Sequence, residues 1–433
     1  MNIKLIRSKE AKNAGWLIAG KITQMLLSLI VGTISTRYLG PNNYGLVSYA
    51  NSFVSLFMAF CTLGLNSVIV KDFLDNPDEQ GTALGSSILL RAASSFLSSI
   101  MIVSICSVID AGEKITIIVV ALSSISLIFH SFDTINYWFQ AQYKSKVSAA
   151  VTLIAYVITS TYKIILLILE KDIKWFAFAT SIDYIAISCL LLIAYKYHKG
   201  PKLRFSFSKS KALLSKSVHY ILSGMMVVIY GQTDKLMLKQ MLNETEVGYY
   251  SIGTTISGMW VFVLAAIIDS VYPTILSSFS KSKDEFNKKN KQLYAVVFYF
   301  SILVSLLFFI FGDYIIAILY GADYAPAGIS LKIITWYTAF SYLGVARRAW
   351  IVSNDRQKYL KYIYFFAAVF NVIGNAVLIP NFGAAGAALA SLLTQIFTSL
   401  ILPLLIKGLR ENAILMLEAI ALKGIFNKNV DKE

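Results

Sequence analysis

Eleven ionisable side chains lie inside long apolar runs of this chain. The cations are Lys21, Arg91, Lys163, Lys235, Lys332, Arg347 and Arg348, and the carboxylates are Asp133, Asp183, Asp234 and Asp269. A charge held in hydrocarbon is costly, so such groups face a partner, a cavity or the membrane surface. Cations outnumber carboxylates seven to four, and unpaired cations suit an anionic passenger such as a phosphate or an acidic sugar. Lys21, Arg91, Lys163, Lys235, Arg347 and Arg348 are therefore candidate anion ligands. Asn66, Asn371 and Asn375 are candidate substrate-binding amides, and Asp133, Asp183, Asp234, Asp269 and His130 are candidates for ion coupling.

Each candidate also has a structural reading. His130 and Asp133 stand one turn apart, which suits a proton relay or a satisfied pair. Asn371 and Asn375 share a helix face at i, i+4, so they bond either a sugar or a neighbouring helix. Asp234 and Lys235 adjoin but point in different directions, so each can pair with another helix. Lys332 is close enough to a span end to snorkel, and Lys21 and Arg91 are each within two turns of the inner surface. Arg347 and Arg348 lie near a span end, where lipid phosphate is an alternative partner. Lys163 lies deep in the outward half of its span, where a bland reading is harder to find.

The chain has no P-loop, G-x-S-x-G, H-E-x-x-H or Cys/His metal spacing. The sequence therefore points away from an enzyme, a metal site and a cofactor. Without an ATP site, transport would draw on an ion gradient or the substrate's own gradient. Cys61, Cys106 and Cys189 lie in apolar runs without paired spacing and are expected to be packing residues.

The elements that hold these groups are membrane helices. Of 433 residues, 57% are hydrophobic, and mean hydropathy is +0.64. We read an all-α polytopic membrane protein of about twelve spans: 14–36, 45–70, 84–109, 115–139, 147–169, 173–195, 217–239, 248–273, 293–319, 327–351, 359–379 and 383–406. The net charge of +15 is explained by basic loops on the cytoplasmic side, without nucleic acid. Only Arg37, Lys114, Lys171, Lys174 and Lys239 fall on the opposite side, so both termini are expected in the cytoplasm.

The longest and most basic loop divides the chain into six helices and six. The expected domains are an N-terminal bundle at 1–200, a basic linker at 201–216, a C-terminal bundle at 217–406 and a cytoplasmic tail at 407–433. An even number of spans per half relates the halves by an axis along the membrane normal, with the passenger's site between them. A faint repeat agrees: Leu39–Ser48 lies over Leu242–Ser251, 203 residues on, and Asn66 then falls on Asp269.

Four stretches carry a family resemblance. Arg37-Tyr-Leu-Gly-Pro-Asn-Asn-Tyr-Gly45 resembles the opening of the polysaccharide or O-antigen flippases of Wzx type. Tyr137-Trp-Phe-Gln-Ala-Gln142 resembles the motif closing their fourth helix. Thr233-Asp-Lys-Leu-Met237 with Val247-Gly-Tyr-Tyr-Ser251 resembles the start of their second half, and Leu378–Ala388 their eleventh-to-twelfth helix turn. This is the polysaccharide transporter family of the multidrug/oligosaccharidyl-lipid/polysaccharide superfamily. The resemblance implies two six-helix bundles in a bacterial cytoplasmic (inner) membrane. It implies a flippase for an undecaprenyl-diphosphate-linked oligosaccharide, working by alternating access on an H+ or Na+ gradient. It also implies membrane lipids, the polysaccharide polymerase and the chain-length regulator as partners.

Three alternatives fit the sequence less well. A drug exporter of the same superfamily would want an acid-rich cavity. A major-facilitator transporter would carry a Gly/Asp/Arg-rich loop where this chain has Lys71–Glu79. A membrane polymerase or acyltransferase would need a large external loop or a His motif.

Overall fold

Bilayer interiors offer no water to unpaired backbone groups, so long apolar segments close their hydrogen bonds internally as helices. The computed structural model describes residues 9–424; within that range the side chains of 9–23, 26, 67, 219, 220, 222–224, 226, 227 and 230 are not described. Lys21 lies outside the described side chains. All regular elements among the described residues are helical. Eight helical stretches there are long and apolar enough to cross a membrane.

The chain divides into two units, residues 1–232 and 233–433. The first contains α1 (Lys9–Cys61), α2 (Ile69–Asp75), α3 (Gln80–Ile109), α4 (Lys114–His130), α5 (Thr134–Ala141), α6 (Ser145–Ile168) and α7 (Ile173–Tyr197). Helix α8 (Phe207–Met241) carries the division within it. The second contains α9 (Glu244–Gly258), α10 (Val261–Phe279), α11 (Lys283–Tyr320), α12 (Ala327–Ala346), α13 (Arg348–Ser353) and α14 (Leu360–Ile396). A π-helical turn, Phe397–Ile401, leads into α15 (Leu402–Leu405), and α16 (Arg410–Ile420) follows.

The expected basic linker, 201–216, is helical from Phe207. The start of α8 belongs to the first unit for physical reasons. Leu213 packs into that unit's apolar core with Leu65, Phe73, Leu84, Trp138 and Tyr195. Lys209 Nζ lies 3.0 Å from Asp72 Oδ2 and 2.7 Å from Glu79 Oε2. Desolvation works against the Lys209 charge, but its hydrogen bonds to Glu79 and Asp72 outweigh this and hold the ammonium above its ordinary value. Ahead of the helix, Arg204 N donates to Gly81 O (3.2 Å) and Ser206 N to Ser86 Oγ (3.0 Å). Gly81 makes this approach possible, because a Cβ there would collide with the carbonyl of Lys202.

Glycines also set the two sharpest bends. Gly40, at φ 70° and ψ 169°, splits α1 into two arms, with Pro41 opening the second. That backbone region is almost closed to residues with a Cβ. Gly383, at φ 54° and ψ −133°, splits α14. Its arms fold back on each other, with Gly386 against the Leu378 carbonyl and Gly374 against Ala390. Glu246 of α9 clips this bend, its Oε2 accepting from Ala384 N at 2.6 Å. Within units, small hydroxyls bind helix to helix: Ser181 to Leu122 O (2.6 Å), Ser188 to Phe129 O (2.7 Å) and Ser305 to Thr335 O (2.9 Å). Cys61 and Cys106 are buried as expected of packing residues, whereas Cys189 is exposed on α7.

Candidate functional site

Asp234 has the most complete polar environment of the candidates. It sits on the last turns of α8 and is only 4% exposed. Its Oδ1 accepts from Asn375 Nδ2 at 2.7 Å and Asn371 Nδ2 at 3.0 Å. Its Oδ2 accepts from Ser391 Oγ at 2.6 Å and from the Tyr250 hydroxyl. Asn375 also donates to Asn371 Oδ1 at 3.1 Å, while its own Oδ1 is buried without a hydrogen-bond partner. The α14 hairpin makes this possible. Asn371 and Asn375 stand on its first arm and Ser391 on its second, and the Glu246 clip fixes the bend beside the α8–α9 turn. A carboxylate, an orphaned amide oxygen and a hydroxyl oxygen in one buried place form an oxygen-rich node of the kind that suits a proton or a hard monovalent cation.

Asn371 and Asn375 thus take the helix-binding reading of the two the sequence offered. Lys235, next to Asp234, is half-buried and makes no hydrogen bond or ion pair among the described residues.

In the first unit, Arg91 is 1% exposed. Its guanidinium donates to Thr134 Oγ1 (2.8 Å) and the His130 carbonyl (3.2 Å), and its Nη2 stands 2.8 Å from His130 Nδ1. Arg91 therefore ties α3 to the junction where α4 tightens through a 3-10 turn, Ser131–Asp133, into α5. A guanidinium has only donors, so His130 Nδ1 is the acceptor and the ring proton sits on Nε2, an assignment that follows from the network. His130 accordingly faces Arg91. Asp133 instead accepts from Asn136 Nδ2 at 2.5 Å, so the expected His130–Asp133 relay is not formed.

Lys163 of α6 and Asp183 of α7 influence each other electrostatically, yet they are not within ion-pair distance. Asp183 accepts from Thr159 Oγ1 at 3.0 Å, while Lys163 keeps its three donors free among the described residues. Nearby, Thr180 of α7 donates to Asn51 of α1 at 3.3 Å.

Arg347 is 2% exposed; its two terminal nitrogens reach backbone carbonyls, Nη2 also touches Met416 Sδ at 3.5 Å, and Nε is buried without a hydrogen-bond partner. It donates to Thr398 O at 3.4 Å and to Ser399 O. Pro403 explains this demand: it has no N–H to return to the preceding turn, where the helix widens into its π-helical register. Arg347 thus fills backbone acceptors that proline leaves open. Arg348, the neighbour, is exposed and lies 5.2 Å over the Tyr272 ring. Lys332 pairs with Asp313 at 2.5 Å near the end of its span, in keeping with snorkelling. Asp269 on α10 and Asn66 after α1 are both exposed.

A family model described as a polysaccharide biosynthesis protein matches residues 11–279. The chain belongs to that family. Over 407 residues it is 21% identical to the capsular polysaccharide biosynthesis protein CapF of Staphylococcus aureus, covering 90% of this chain and 97% of the relative. Over 157 residues it is 24% identical to a putative O-antigen transporter of Salmonella typhi, covering 35% of this chain and 36% of that one. Among solved structures it resembles the lipid II flippase MurJ in an inward closed conformation, at TM-score 0.70 and 14% identity over 94% of this chain and 92% of that one. It also resembles an inward-facing multidrug transporter of the MATE family, at TM-score 0.67 and 12% identity over 92% and 96%. These likenesses establish a transporter fold. This member of the family is a multi-pass protein of the bacterial cytoplasmic (inner) membrane.

Tyr250, Ser391 and Thr134 escaped the sequence reading. Tyr250 lies in the Val247–Ser251 stretch that carried the family resemblance, so a local signal existed. Ser391 is one small residue in a run of alanines and leucines, and only the hairpin brings it to Asp234.

Proposed function

We propose that the protein is a flippase that moves an undecaprenyl-diphosphate-linked oligosaccharide, an O-antigen or capsule repeat unit, from the cytoplasmic to the outer leaflet. It works by alternating access of two six-helix bundles. The observation that carries this reading is family membership, joined to near full-length similarity to a capsular polysaccharide biosynthesis protein. The side chains are consistent with it. Lys163, Lys235 and Arg348 make no ion pair among the described residues, so their charges are open to a diphosphate. Arg91 and Arg347 hold helices in shape. Asp234, with Asn375 Oδ1 and Ser391 Oγ, takes up the coupling proton or sodium ion, and Asp183 is a second acidic group available for coupling. The lipid tail stays in the bilayer while the headgroup crosses, and the released unit passes to the polymerase and chain-length regulator.

The test is deletion of the gene followed by complementation, with leaflet-resolved measurement of the undecaprenyl-linked intermediate. Intermediate accumulating on the cytoplasmic side, with surface polymer lost, is the expected result. Repeat units that reach the outer leaflet but stay unpolymerised would overturn the reading and point to a polymerase.

A further inference from the structure

An apolar groove lies between α3 and the start of α8 in the first unit. Its walls are Leu89, Leu90 and Ala93 of α3, Phe205 and Phe207 of the strap before α8, and Leu214 of α8; Lys211 stands on its rim. The groove encloses about 630 Å³. Leu89, Phe205 and Phe207 are 51%, 54% and 77% exposed, so three large apolar side chains are open along one strip. Such a strip of exposed apolar surface marks a place that something else covers.

The groove meets α3 at Leu89, Leu90 and Ala93, in the N-terminal half of that helix, and follows α8 from Lys211 to Val218. Seven residues of helix make it about 10 Å long. That length accepts the upper part of one acyl chain and is short for a long isoprenoid. Lys211 brings a cation to the groove, within the most basic segment of the chain. The segment 196–216 carries Lys196, Lys199, Lys202, Arg204, Lys209, Lys211 and Lys216. Of these, Lys209 alone is paired among the described residues, to Asp72 and Glu79. The strap cannot swing away to hide the groove, because Arg204 N and Ser206 N are fixed to Gly81 and Ser86.

We propose that this groove is a binding site for an anionic glycerophospholipid, with one acyl chain between Leu89, Ala93 and Leu214 and the phosphate on Lys211. Clusters of basic residues at a membrane surface draw anionic lipid, each contributing on the order of 1 kcal/mol. A zwitterionic lipid offers the same chains without the net charge, and is therefore not retained. The site is separate from the proposed coupling node, which lies wholly in the second unit.

The experiment is native mass spectrometry of the full-length protein, titrated separately with phosphatidylglycerol and with phosphatidylcholine. Lys211→Ala removes the charge, Ala93→Trp fills the groove, and Lys146→Ala removes an exposed basic residue elsewhere in the first unit. Phosphatidylglycerol occupancy should fall about fivefold in Lys211→Ala, the factor that corresponds to about 1 kcal/mol, and more in Ala93→Trp, while Lys146→Ala matches the wild type. Lys211→Ala alters an exposed side chain, so its result stands even if the tryptophan variant does not fold. Equal occupancy in Lys211→Ala and the wild type, or equal retention of phosphatidylcholine, would overturn the proposal. Undecaprenyl phosphate that displaces phosphatidylglycerol from the wild type at equal concentration would also overturn it, and would give the groove to the substrate's tail.

Discussion

Replacing Asp234 separates the helix clamp its carboxylate forms from the coupling proposed for it. The structural job is to accept hydrogen bonds from Asn371, Asn375, Ser391 and Tyr250, which ties α8, α9 and both arms of α14 together. Asp234→Ala removes the acceptor of all four bonds, leaving Asn375 only Asn371 Oδ1 and Asn371 only the longer contact to Ser391 Oγ. Side-chain hydrogen bonds inside membrane proteins are worth about 0.6 kcal/mol on average and up to about 1.7. Four of them at the average give roughly 2.4 kcal/mol and at most about 7, so the average value lowers the melting temperature by roughly 5–10 °C for a unit of this size. Asp234→Asn keeps the shape and one acceptor oxygen, so its loss should be about half as large. The proposed coupling needs the negative charge, and both variants remove it. The assay is thermal unfolding in detergent, alongside translocation of a fluorescent lipid-linked oligosaccharide in proteoliposomes under an imposed H+ or Na+ gradient. Asp234→Asn should fold, translocate slowly and no longer respond to the gradient. Translocation by Asp234→Asn with the rate and gradient response of the wild type would refute the coupling assignment. An unchanged melting temperature in Asp234→Ala would refute the node as a helix clamp.

Lys163→Ala should lower export of lipid-linked glycan about tenfold without loss of membrane insertion, whereas Lys332→Ala, whose partner is Asp313, should stay within twofold; radiolabelled surface polymer reports both. Arg347→Met should lower stability by about 2–4 kcal/mol, because the Thr398 and Ser399 carbonyls lose their donor. Adding Pro403→Ala, which restores a backbone N–H, should recover part of that loss in the same unfolding assay. Gly383→Ala combines a glycine-only backbone with a collision against Glu246, while Gly40→Ala meets only the backbone penalty of about 1–3 kcal/mol, so hydrogen exchange should rise more at the α14 bend than at the α1 bend. Lys209 has a raised pKa in the folded state, so its contribution is complete below the ordinary lysine value and fades as pH rises through the folded one. Proteolysis of the 199–206 strap should therefore be flat from pH 6 to about 9 and increase only in strong alkali.

Sequence alone determined the membrane class, the helical fold and the family. Each follows from local facts: apolar runs longer than a bilayer is thick, backbone groups that must pair within their own helix, and short motifs in a fixed order. It also marked the bend at Gly40-Pro41 and the turn at Pro380–Gly383, because those residues restrict the backbone wherever they occur. The roles of the buried charges were not local. Arg347 and Lys163 look alike in sequence, each a cation in an apolar run, yet one is spent on carbonyls freed by Pro403, 56 positions further on, and the other keeps its donors. Asp234 meets Asn371 and Ser391 only because α14 folds back at Gly383, across 137 and 157 residues of chain. A hydrogen bond depends on position to within a few tenths of an ångström, and hydrophobic periodicity places a helix face far more coarsely. Tertiary packing therefore decided which of these charges became a clamp and which stayed free for a ligand.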